Sequence, residues 1–257
     1  MQEQKKLISY DYLYFDELTS TNDYGKSHYQ EFLKPTVILT KNQTAGRGRN
    51  THKWISDEGS LTMSIVINND FKKLNEDFLL KVTSIVGIAL NKVLNKTFKN
   101  KHKVMLKWPN DQLVDAKKIA GILVEGKSKK EVTEAIIIGI GVNVNTPIKE
   151  KIIEGDNVIT SIKALTGETL NINIFSHIIA TAVLEAISNY DVEIDVDYLN
   201  EKNYLWNKKV TFMAGGILHQ GTVLRITNEG FLEVRENNNT YVVKAGEVSL
   251  LRERTKN

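Results

Sequence analysis

The sequence predicts a large domain that mixes helices and strands, followed by a small β-barrel. Three observations support this prediction: short apolar runs typical of buried strands, two longer segments with a helical apolar repeat, and a final stretch of closely spaced hairpin signals. The chain has 257 residues, of which 41% are apolar, so it is long enough to bury a substantial core.

The first predicted strands flank a basic segment at residues 43–54. An apolar run at residues 37–39 predicts a short buried strand, and residues 61–67 alternate between apolar and polar side chains. This alternation predicts a strand with one face inward. Apolar side chains then recur with a period near 3.6 over residues 78–94, which predicts an amphipathic helix that ends near Asn95.

Three more strands and a second helix are predicted before the barrel. Apolar runs indicate strands at residues 104–106, 119–125 and 135–144. Helical periodicity over residues 175–190 predicts another amphipathic helix, for which Asn173 is a suitable N-cap.

The last part of the chain has a different pattern of short strands and turns. Strands are predicted at residues 210–213, 222–226, 231–235 and 240–244. The turns between them contain Gly215-Gly216, Asn228-Glu229-Gly230 and Asn237-Asn238-Asn239. A small barrel accounts for this pattern, because closing a sheet removes its exposed edges. We place the boundary after residue 205, with the larger domain at residues 1–205 and the barrel at residues 206–257.

Composition excludes several classes of site. The chain has no cysteine, which excludes disulfides, thiolate catalysis and cysteine-based zinc sites. Its five histidines show no paired ligand spacing, so a transition-metal site is not expected. A net charge of only +3 argues against a dedicated DNA-binding protein. We see no signal-peptide core and no apolar run near the ~20 residues of a membrane span, and expect a cytoplasmic protein without a membrane partner.

The basic segment, residues 43–54, reads Gln-Thr-Ala-Gly-Arg-Gly-Arg-Asn-Thr-His-Lys-Trp and is too irregular to predict a helix or strand. Gly46 and Gly48 allow backbone N–H groups to approach a ligand, while Arg47 and Arg49 offer planar donor forks for carboxylate or phosphate. Trp54 offers a flat surface for a base. The segment predicts a lid over an anionic nucleotide; a solvated basic loop that touches nucleic acid explains the same residues.

Four other motifs each allow a structural and a functional interpretation. Ser20-Thr21-Asn22 is either a helix N-cap or a polar pocket lining. Lys107-Trp108-Pro109-Asn110-Asp111 is either a strand end with a turn or a charged strand mouth, where Asp111 could act as a general base or bind magnesium through water. Residues 117–125 read as a charged turn before a buried strand. Gly139-x-Gly141-x-Asn143 lacks a third glycine and a following helix, so it indicates a close backbone approach rather than a dinucleotide site.

The order of five motifs resembles that of the biotin protein ligases, and the resemblance covers nearly the whole chain. The motifs are Ser20-Thr21-Asn22, Gln43-x-Ala45-Gly46-Arg47-Gly48-Arg49, Lys107-Trp108-Pro109-Asn110-Asp111, Lys118-x-Ala120-Gly121-Ile122-Leu123-x-Glu125 and Gly139-x-Gly141-x-Asn143. The match ends in Gly246-Glu247-Val248-Ser249-Leu250 of the barrel. The resemblance implies an α+β fold of the class II aminoacyl-tRNA-synthetase type. Its sheet is mixed but mostly antiparallel, with helices on one side and a small C-terminal β-barrel.

This resemblance also implies an activity and its substrates. Such ligases activate biotin with ATP and Mg²⁺ to biotinyl-5′-AMP, and then transfer the biotinyl group to a lysine of a biotin carboxyl carrier domain. Acetyl-CoA carboxylase and pyruvate carboxylase carry such domains. No acyl group is held on the enzyme, which agrees with the absence of cysteine. A homodimer is possible, and no specific DNA is expected as a partner.

The resemblance assigns roles to residues of the five motifs. Ser20, Thr21 and Gln43 look like partners of the biotin ureido group, and Lys118 matches the lysine between the biotin carboxyl and the α-phosphate. The implied biotin-binding set is Ser20, Thr21, Asn22, Gln43, Gly46, Arg47, Gly48, Arg49, Lys118, Gly121 and Gly139. The implied nucleotide-binding set is Arg49, Trp54, Lys118 and Asn143. The implied catalytic set is Lys118, Arg47, Arg49 and Asp111, where Asp111 would accept a proton from the incoming lysine or support magnesium.

The chain departs from the family pattern inside the basic segment. Thr51 and His52 stand where members usually have a glycine and an arginine. A neutral histidine brings less positive charge than an arginine, and a β-branched threonine stiffens the loop. We therefore expect biotinyl-AMP to be held less tightly than in members that have the arginine.

Ser20 comes too early in the sequence for a preceding winged helix-turn-helix of about sixty residues. We therefore expect a monofunctional ligase without a repressor function. The alternatives are a lipoate or octanoate protein ligase, whose loop does not match the Gly-Arg-Gly-Arg form, a nucleic-acid-binding regulator, and a biotin sensor without activity.

Overall fold

The computed structural model describes residues 8–49, 52–99, 101–148, 153–154, 157–190, 193–244, 246 and 248–251. Its strands are β1 (Asp11–Leu18), β2 (Thr36–Gln43), β3 (Ser60–Asn68), β4 (Val104–Lys107), β5 (Asp111–Val114), β6 (Lys117–Lys129), β7 (Val132–Asn143), β8 (Ile153–Glu154), β9 (Asn157–Val158), β10 (Lys209–Ala214), β11 (Ile217–Ile226), β12 (Leu232–Glu236), β13 (Asn239–Val243) and β14 (Val248–Leu250). Its helices are α1 (Thr21–His28), α2 (Glu76–Thr97), α3 (Ile162–Thr166), α4 (Ile172–Ser188) and α5 (Val196–Glu201).

A seven-stranded sheet forms the centre of the molecule, in the order β1-β2-β3-β7-β6-β5-β4. Only β1 and β2 run parallel among these described strands; every other neighbouring pair is antiparallel. The prediction of a mixed, mostly antiparallel sheet is therefore confirmed. A second sheet, in the order β13-β12-β11-β10-β14, is antiparallel throughout its described strands.

Helices cover both faces of the large sheet. The long helices α2 and α4 pack over one face, in the same core as Met63 and Ile65. Helix α1 lies on the opposite face, where a Cβ added to Gly25 would come within 2.9 Å of Val66. The prediction that helices lie on one side is wrong for α1. The prediction that residues 61–67 bury one face is also wrong, because layers on both sides bury all seven residues.

Element boundaries agree with most predictions. The apolar runs become β2, β3, β4, β6 and β7, and the four predicted C-terminal strands become β10 to β13. Helix α2 ends two residues beyond Asn95. The N-cap of α4 is Asn171, not Asn173, because the Asn171 side chain accepts a hydrogen bond of 3.0 Å from the Ile174 backbone N–H.

The second sheet packs against the large one through a shared apolar core. Val210 and Phe212 belong to the same buried cluster as Val86 of α2. The Trp108 indole Nε1 donates a hydrogen bond of 2.9 Å to the Gly230 carbonyl. The boundary after residue 205 stays a prediction. None of the helices in the described ranges combines the length and apolar character needed to cross a membrane.

Candidate functional site

A pocket opens on the α1 side of the large sheet, and three glycines form its floor. Gly139 and Gly141 alternate along β7, and Gly121 lies beside Gly141 on β6. A Cβ on Gly139 would lie 2.5 Å from Asn22 Oδ1, and one on Gly141 would lie 2.4 Å from the ring of Trp54. The expected close approach to the backbone at these glycines is confirmed.

The predicted site residues are largely brought together in this pocket. Those that line it are Ser20, Thr21, Asn22, Gln43, Arg47, Gly48, Arg49, Trp54, Asp111, Lys118, Gly121 and Gly139. Two predicted residues are not among the lining residues. Gly46 instead packs beneath Trp54, where a Cβ would lie 2.5 Å from the Trp54 carbonyl oxygen, and Asn143 is buried one strand position beyond the pocket floor.

One end of the pocket is neutral and polar. Ser20 caps α1 by accepting a hydrogen bond of 3.4 Å from the Asp23 backbone N–H, so it is both an N-cap and a lining residue. The backbone N–H and the hydroxyl of Thr21 both donate to Gln43 Oε1, at 2.8 and 3.1 Å. Asn22 Oδ1 accepts a hydrogen bond of 2.6 Å from Ser64. These buried or partly buried contacts fix the side chains before any ligand binds.

The other end of the pocket combines a lysine, a carboxylate and an indole. It lies about 7 Å from the polar end, the rise of two residues along a strand from Gly139 to Gly141. Lys118 Nζ lies 3.2 Å from Asp111 Oδ1 and 5.5 Å from the centre of the Trp54 ring. Both charged side chains are only 13% exposed, so water screens their charges weakly.

Two buried donors near this end have no hydrogen-bond partner within the described residues. They are Trp54 Nε1 and Asn143 Nδ2, on side chains that are 8% and 3% exposed. Buried polar atoms in folded proteins are nearly always hydrogen-bonded, so such donors point to an acceptor supplied by a ligand or water.

The basic segment, called the lid segment below (residues 43–54), is more regular than predicted. Arg47 and Lys53 form an isolated antiparallel bridge, and the Gly48 N–H donates to the His52 carbonyl at 2.8 Å. Trp54 N–H donates to Gly46 at 3.1 Å, which turns the indole over the pocket floor. Thr51, one of the two departures from the family pattern, lies outside the described residues, whereas His52 lines the pocket.

The two lid arginines bind different parts of the molecule. Arg47 Nη1 and Nη2 donate to Glu125 at 3.2 and 3.0 Å, and Nη2 also donates to Asp23 at 2.5 Å. Arg49 donates to Asn110 at 3.3 Å and to the Gly246 carbonyl at 2.8 Å. Burial lowers the pKa of Arg47, but hydrogen bonds and charges from Glu125 and Asp23 outweigh burial and raise it above its ordinary value.

Several lining residues were not predicted to belong to the site. They are Thr62, Met63, Ile122, Leu123 and Ile140 from the sheet, and Val248 and Ser249 from β14. Thr62 pairs with Gly141, so strand alternation carries a signal for it once the register is known. Val248 and Ser249 belong to the motif that ends the family resemblance, but their place in this pocket depends on how the second sheet packs.

Comparison with known proteins gives consistent matches. Residues 12–143, just over half of the chain, match the Biotin/lipoate A/B protein ligase family. The bifunctional ligase/repressor BirA of Escherichia coli is 29% identical over 240 residues, covering 91% of this chain and 72% of that protein. BirA of Bacillus spizizenii is 33% identical over 140 residues, which span 53% of this chain but only 41% of that protein. A biotin–acetyl-CoA-carboxylase ligase of Paracoccus denitrificans is 27% identical over 146 residues, which cover 56% of this chain and 60% of that protein.

Solved structures show the same fold. Biotin protein ligase from Aquifex aeolicus in complex with biotin and ATP has a TM-score of 0.78 at 24% identity, covering 95% of this chain and 99% of that chain. Biotin protein ligase from Leishmania major in complex with biotinyl-5-AMP has a TM-score of 0.62 at 22% identity, with the same coverage. At these identities the likeness establishes the fold.

Proposed function

Because this chain belongs to the biotin/lipoate A/B protein ligase family, we propose that it is an ATP-dependent biotin protein ligase. It would condense biotin with ATP to biotinyl-5′-AMP and transfer the biotinyl group to a lysine of a biotin carboxyl carrier domain. One observation carries the proposal: a single pocket joins a neutral polar end to a shielded lysine beside an indole.

The neutral end suits the ureido ring of biotin. A cyclic urea has one carbonyl acceptor and two N–H donors, and hydroxyl and amide side chains can both donate and accept. Such groups lie near the N-terminus of α1, on the pocket-lining residues Ser20, Thr21 and Gln43. Asn22 and Gly139 would form the adjoining wall, where the glycine leaves room for the Asn22 amide, since a Cβ there would lie 2.5 Å from Asn22 Oδ1.

The charged end suits formation of the adenylate. An oxygen of the biotin carboxylate would attack the α-phosphorus of ATP, and pyrophosphate would leave. This step brings two anions together, so a fixed cation stabilises its transition state most. Lys118, which packs on Gly121, would lie between the two groups. From the lid segment, Arg47 would close over the bound biotin and Arg49 over the phosphate.

Transfer to the carrier needs no further protein nucleophile. The amine of the carrier lysine would attack the acyl carbon of biotinyl-AMP, and AMP would leave. Asp111 holds Lys118 at 3.2 Å and is the one carboxylate that lines the pocket among the described residues, so it is the group available to accept the amine proton.

The nucleotide would bind beside Trp54. Its indole offers a stacking surface for adenine, and Trp54 Nε1 and Asn143 Nδ2 are buried donors that an acceptor on the ligand would satisfy. No group of three His, Asp or Glu side chains in the described ranges could hold a metal ion. Magnesium would therefore arrive bound to the phosphates of ATP, whose charge it neutralises. Asp111 is the pocket carboxylate that could bind this magnesium ion through a water molecule.

Finer parts of the proposal concern the setting of the reaction. We propose that the acceptor is the carrier domain of acetyl-CoA carboxylase or pyruvate carboxylase, and that the protein acts in the cytoplasm. We further propose a fold of the class II aminoacyl-tRNA-synthetase type whose second sheet closes into a barrel. A homodimer stays a prediction, and β1 is an edge strand of the large sheet.

Mass measurement tests the proposed function directly. The purified protein is incubated with ATP, magnesium, biotin and a carrier domain, and we expect the carrier to gain the mass of one biotinyl group. Lipoate and octanoate are run in parallel. A gain with lipoate or octanoate but not with biotin would refute the proposal in favour of the related ligase activity. Salt-dependent DNA binding without any transfer would instead favour a nucleic-acid-binding regulator.

Trp54→Phe is expected to weaken ATP binding about 2- to 10-fold, the loss that one neutral hydrogen bond of ~0.5–1.5 kcal/mol implies. Phenylalanine keeps an aromatic face over Gly141 but removes Nε1. Calorimetric titration with a non-hydrolysable ATP analogue measures the change. Trp206→Phe is the matched control, because Trp206 is 64% exposed. Unchanged ATP affinity in Trp54→Phe would contradict the assigned nucleotide position.

His52→Arg is expected to slow the release of biotinyl-AMP about 1.5- to 5-fold, because a charge at an exposed site contributes ~0.2–1 kcal/mol. His52 lines the pocket while its backbone N–H donates to the Arg49 carbonyl at 3.0 Å. Single-turnover release of the labelled intermediate provides the measurement, with His52→Gln as the uncharged control. Release from wild type that is equal to or slower than release from His52→Arg would disprove weaker retention.

A further inference from the structure

Glu125 connects strand β6 to helix α1 and to the lid segment, although it does not line the pocket. It lies on the pocket face of β6, four residues beyond Gly121, and its side chain is 19% exposed. Oε2 accepts hydrogen bonds from Asn22 Nδ2 at 2.8 Å and from Arg47 Nη2 at 3.0 Å. Oε1 accepts from Arg47 Nη1 at 3.2 Å and from Lys26 Nζ. Four donors match the capacity of one ionised carboxylate.

The partners of Glu125 belong to two different segments that line the pocket. Asn22 and Lys26 lie one turn apart on the sheet side of α1, and Arg47 belongs to the lid segment. The carboxylate therefore holds the lid segment against α1, together with Asp23 of α1, which accepts a hydrogen bond of 2.5 Å from Arg47 Nη2. The bidentate contact to Arg47 fixes the plane of the guanidinium as well as its position.

Glu125, together with the Leu123 carbonyl, also sets the orientation of the Asn22 amide, because both accept a hydrogen bond from Asn22 Nδ2. Asn22 Nδ2 faces Glu125, while Asn22 Oδ1 faces the hydroxyl of Ser64 at 2.6 Å. A flipped amide would place its oxygen against the carboxylate. Asn22 is 4% exposed and touches the floor at Gly139, so its orientation decides whether the pocket wall there presents a donor or an acceptor.

The electrostatics keep this carboxylate ionised. Burial raises the pKa of Glu125, but the hydrogen bonds from Lys26, Asn22 and Arg47 outweigh burial and hold the pKa below its ordinary value. The carboxylate therefore stays mostly ionised, and keeps these contacts, when the pH falls to the ordinary pKa of a glutamate.

We propose that Glu125 is a positioning residue that orients Arg47 and Asn22 before the ligand binds, so that it determines the affinity for biotin rather than the rate of the chemical step. This inference rests on the proposed function. It follows from preorganisation, since groups held in place beforehand lose less freedom when the ligand arrives. Glu125 acts only through its partners, because it is not among the residues that line the pocket.

Glu125→Gln tests the proposal with little change of shape. The amide loses the negative charge and turns donor hydrogens toward Arg47, Lys26 or Asn22. We expect the KM for biotin to rise about 10-fold, as expected for the loss of a charge-assisted hydrogen bond, while kcat stays within about twofold. Glu131→Gln is the matched control, at the exposed turn between the same strands β6 and β7. It should leave both constants unchanged.

A second readout needs no turnover. Trypsin must accept the Arg47 side chain in its own pocket, so the contacts to Glu125 protect the bond after Arg47 in the ligand-free protein. We expect cleavage there, followed by mass spectrometry, to be faster in Glu125→Gln than in wild type or Glu131→Gln. If Glu125→Gln does not fold, Lys26→Gln weakens the same carboxylate and should change both readouts in the same direction, but less.

Two results would overturn the proposal. The first is a variant, Glu125→Gln or its substitute Lys26→Gln, that has both the KM for biotin and the resistance to trypsin of wild type. The second is a variant whose kcat falls while its KM for biotin is unchanged. A wild-type protein that makes no biotinyl-AMP would refute the proposed function. In that case equal cleavage of Glu125→Gln and wild type would still show that Glu125 does not orient Arg47.

Discussion

Lys118→Ala is expected to lower the rate of biotinyl-AMP formation about 100- to 1000-fold, the loss seen when one preorganised group that stabilises transition-state charge is removed. Lys118 is the cation at the charged end of the pocket, 3.2 Å from Asp111 and 13% exposed. Alanine removes this positive charge, so the repulsion between the two reacting anions raises the activation free energy. Biotin-dependent exchange of pyrophosphate into ATP measures the rate.

The neighbouring lysine supplies the control for this experiment. Lys117 begins the same strand but is exposed, so Lys117→Ala should retain wild-type exchange. Thermal unfolding of Lys118→Ala checks that losing the contact between Lys118 and Asp111 has not unfolded the protein. A folded Lys118→Ala protein with exchange within about tenfold of wild type would remove Lys118 from the proposed mechanism.

Gly139→Ala is expected to weaken biotin binding by about 5- to 150-fold, the range that corresponds to the ~1–3 kcal/mol cost of overpacking. The new methyl group would lie 2.5 Å from Asn22 Oδ1, so Asn22 must leave its contacts with Ser64 and Glu125. Calorimetric titration with biotin gives the affinity. ATP binding should change far less, because Trp54 lies over the next glycine, Gly141.

Gly126→Ala is the matched control for Gly139→Ala. Gly126 lies on the adjacent strand β6, and a Cβ there meets only the Thr133 methyl group at 3.9 Å. This variant should bind biotin like wild type. Equal biotin affinities for Gly139→Ala and Gly126→Ala would mean that the ligand does not occupy the polar end of the pocket.

Long apolar repeats were sufficient to predict most of the large sheet and its two long helices. Short or mixed segments were not. Strand β1 reads Asp-Tyr-Leu-Tyr-Phe-Asp-Glu-Leu and is half exposed at the sheet edge, so it lacks a clear alternation. Helix α1 has eight residues and no apolar stripe; the Ser20 cap and the close packing of Gly25 stabilise it instead. Tertiary contacts, which the local pattern does not contain, determine such elements.

The order of the motifs was sufficient to predict most residues of the candidate site, but it did not predict which side chains contact one another. Arg47 was expected to meet an anionic ligand, and in the structure its fork is engaged by Glu125 and Asp23. Glu125 is 78 residues away in sequence, and only the strand register brings the two together. The link from Arg49 to Gly246 depends in the same way on the packing of the second sheet.

The glycine floor links binding to folding. Glycine inside a strand costs stability, because it loses more chain freedom than other residues and packs no side chain of its own. Three glycines nevertheless lie close together on the central strands β6 and β7: Gly121, Gly139 and Gly141. The side chains of Asn22, Trp54 and Lys118 pack directly on these glycines, and a molecule held by those side chains would bind only the folded chain. Its binding free energy would then add to the free energy of unfolding. If that molecule is biotin, as proposed, the melting temperature of this protein should rise with the concentration of biotin.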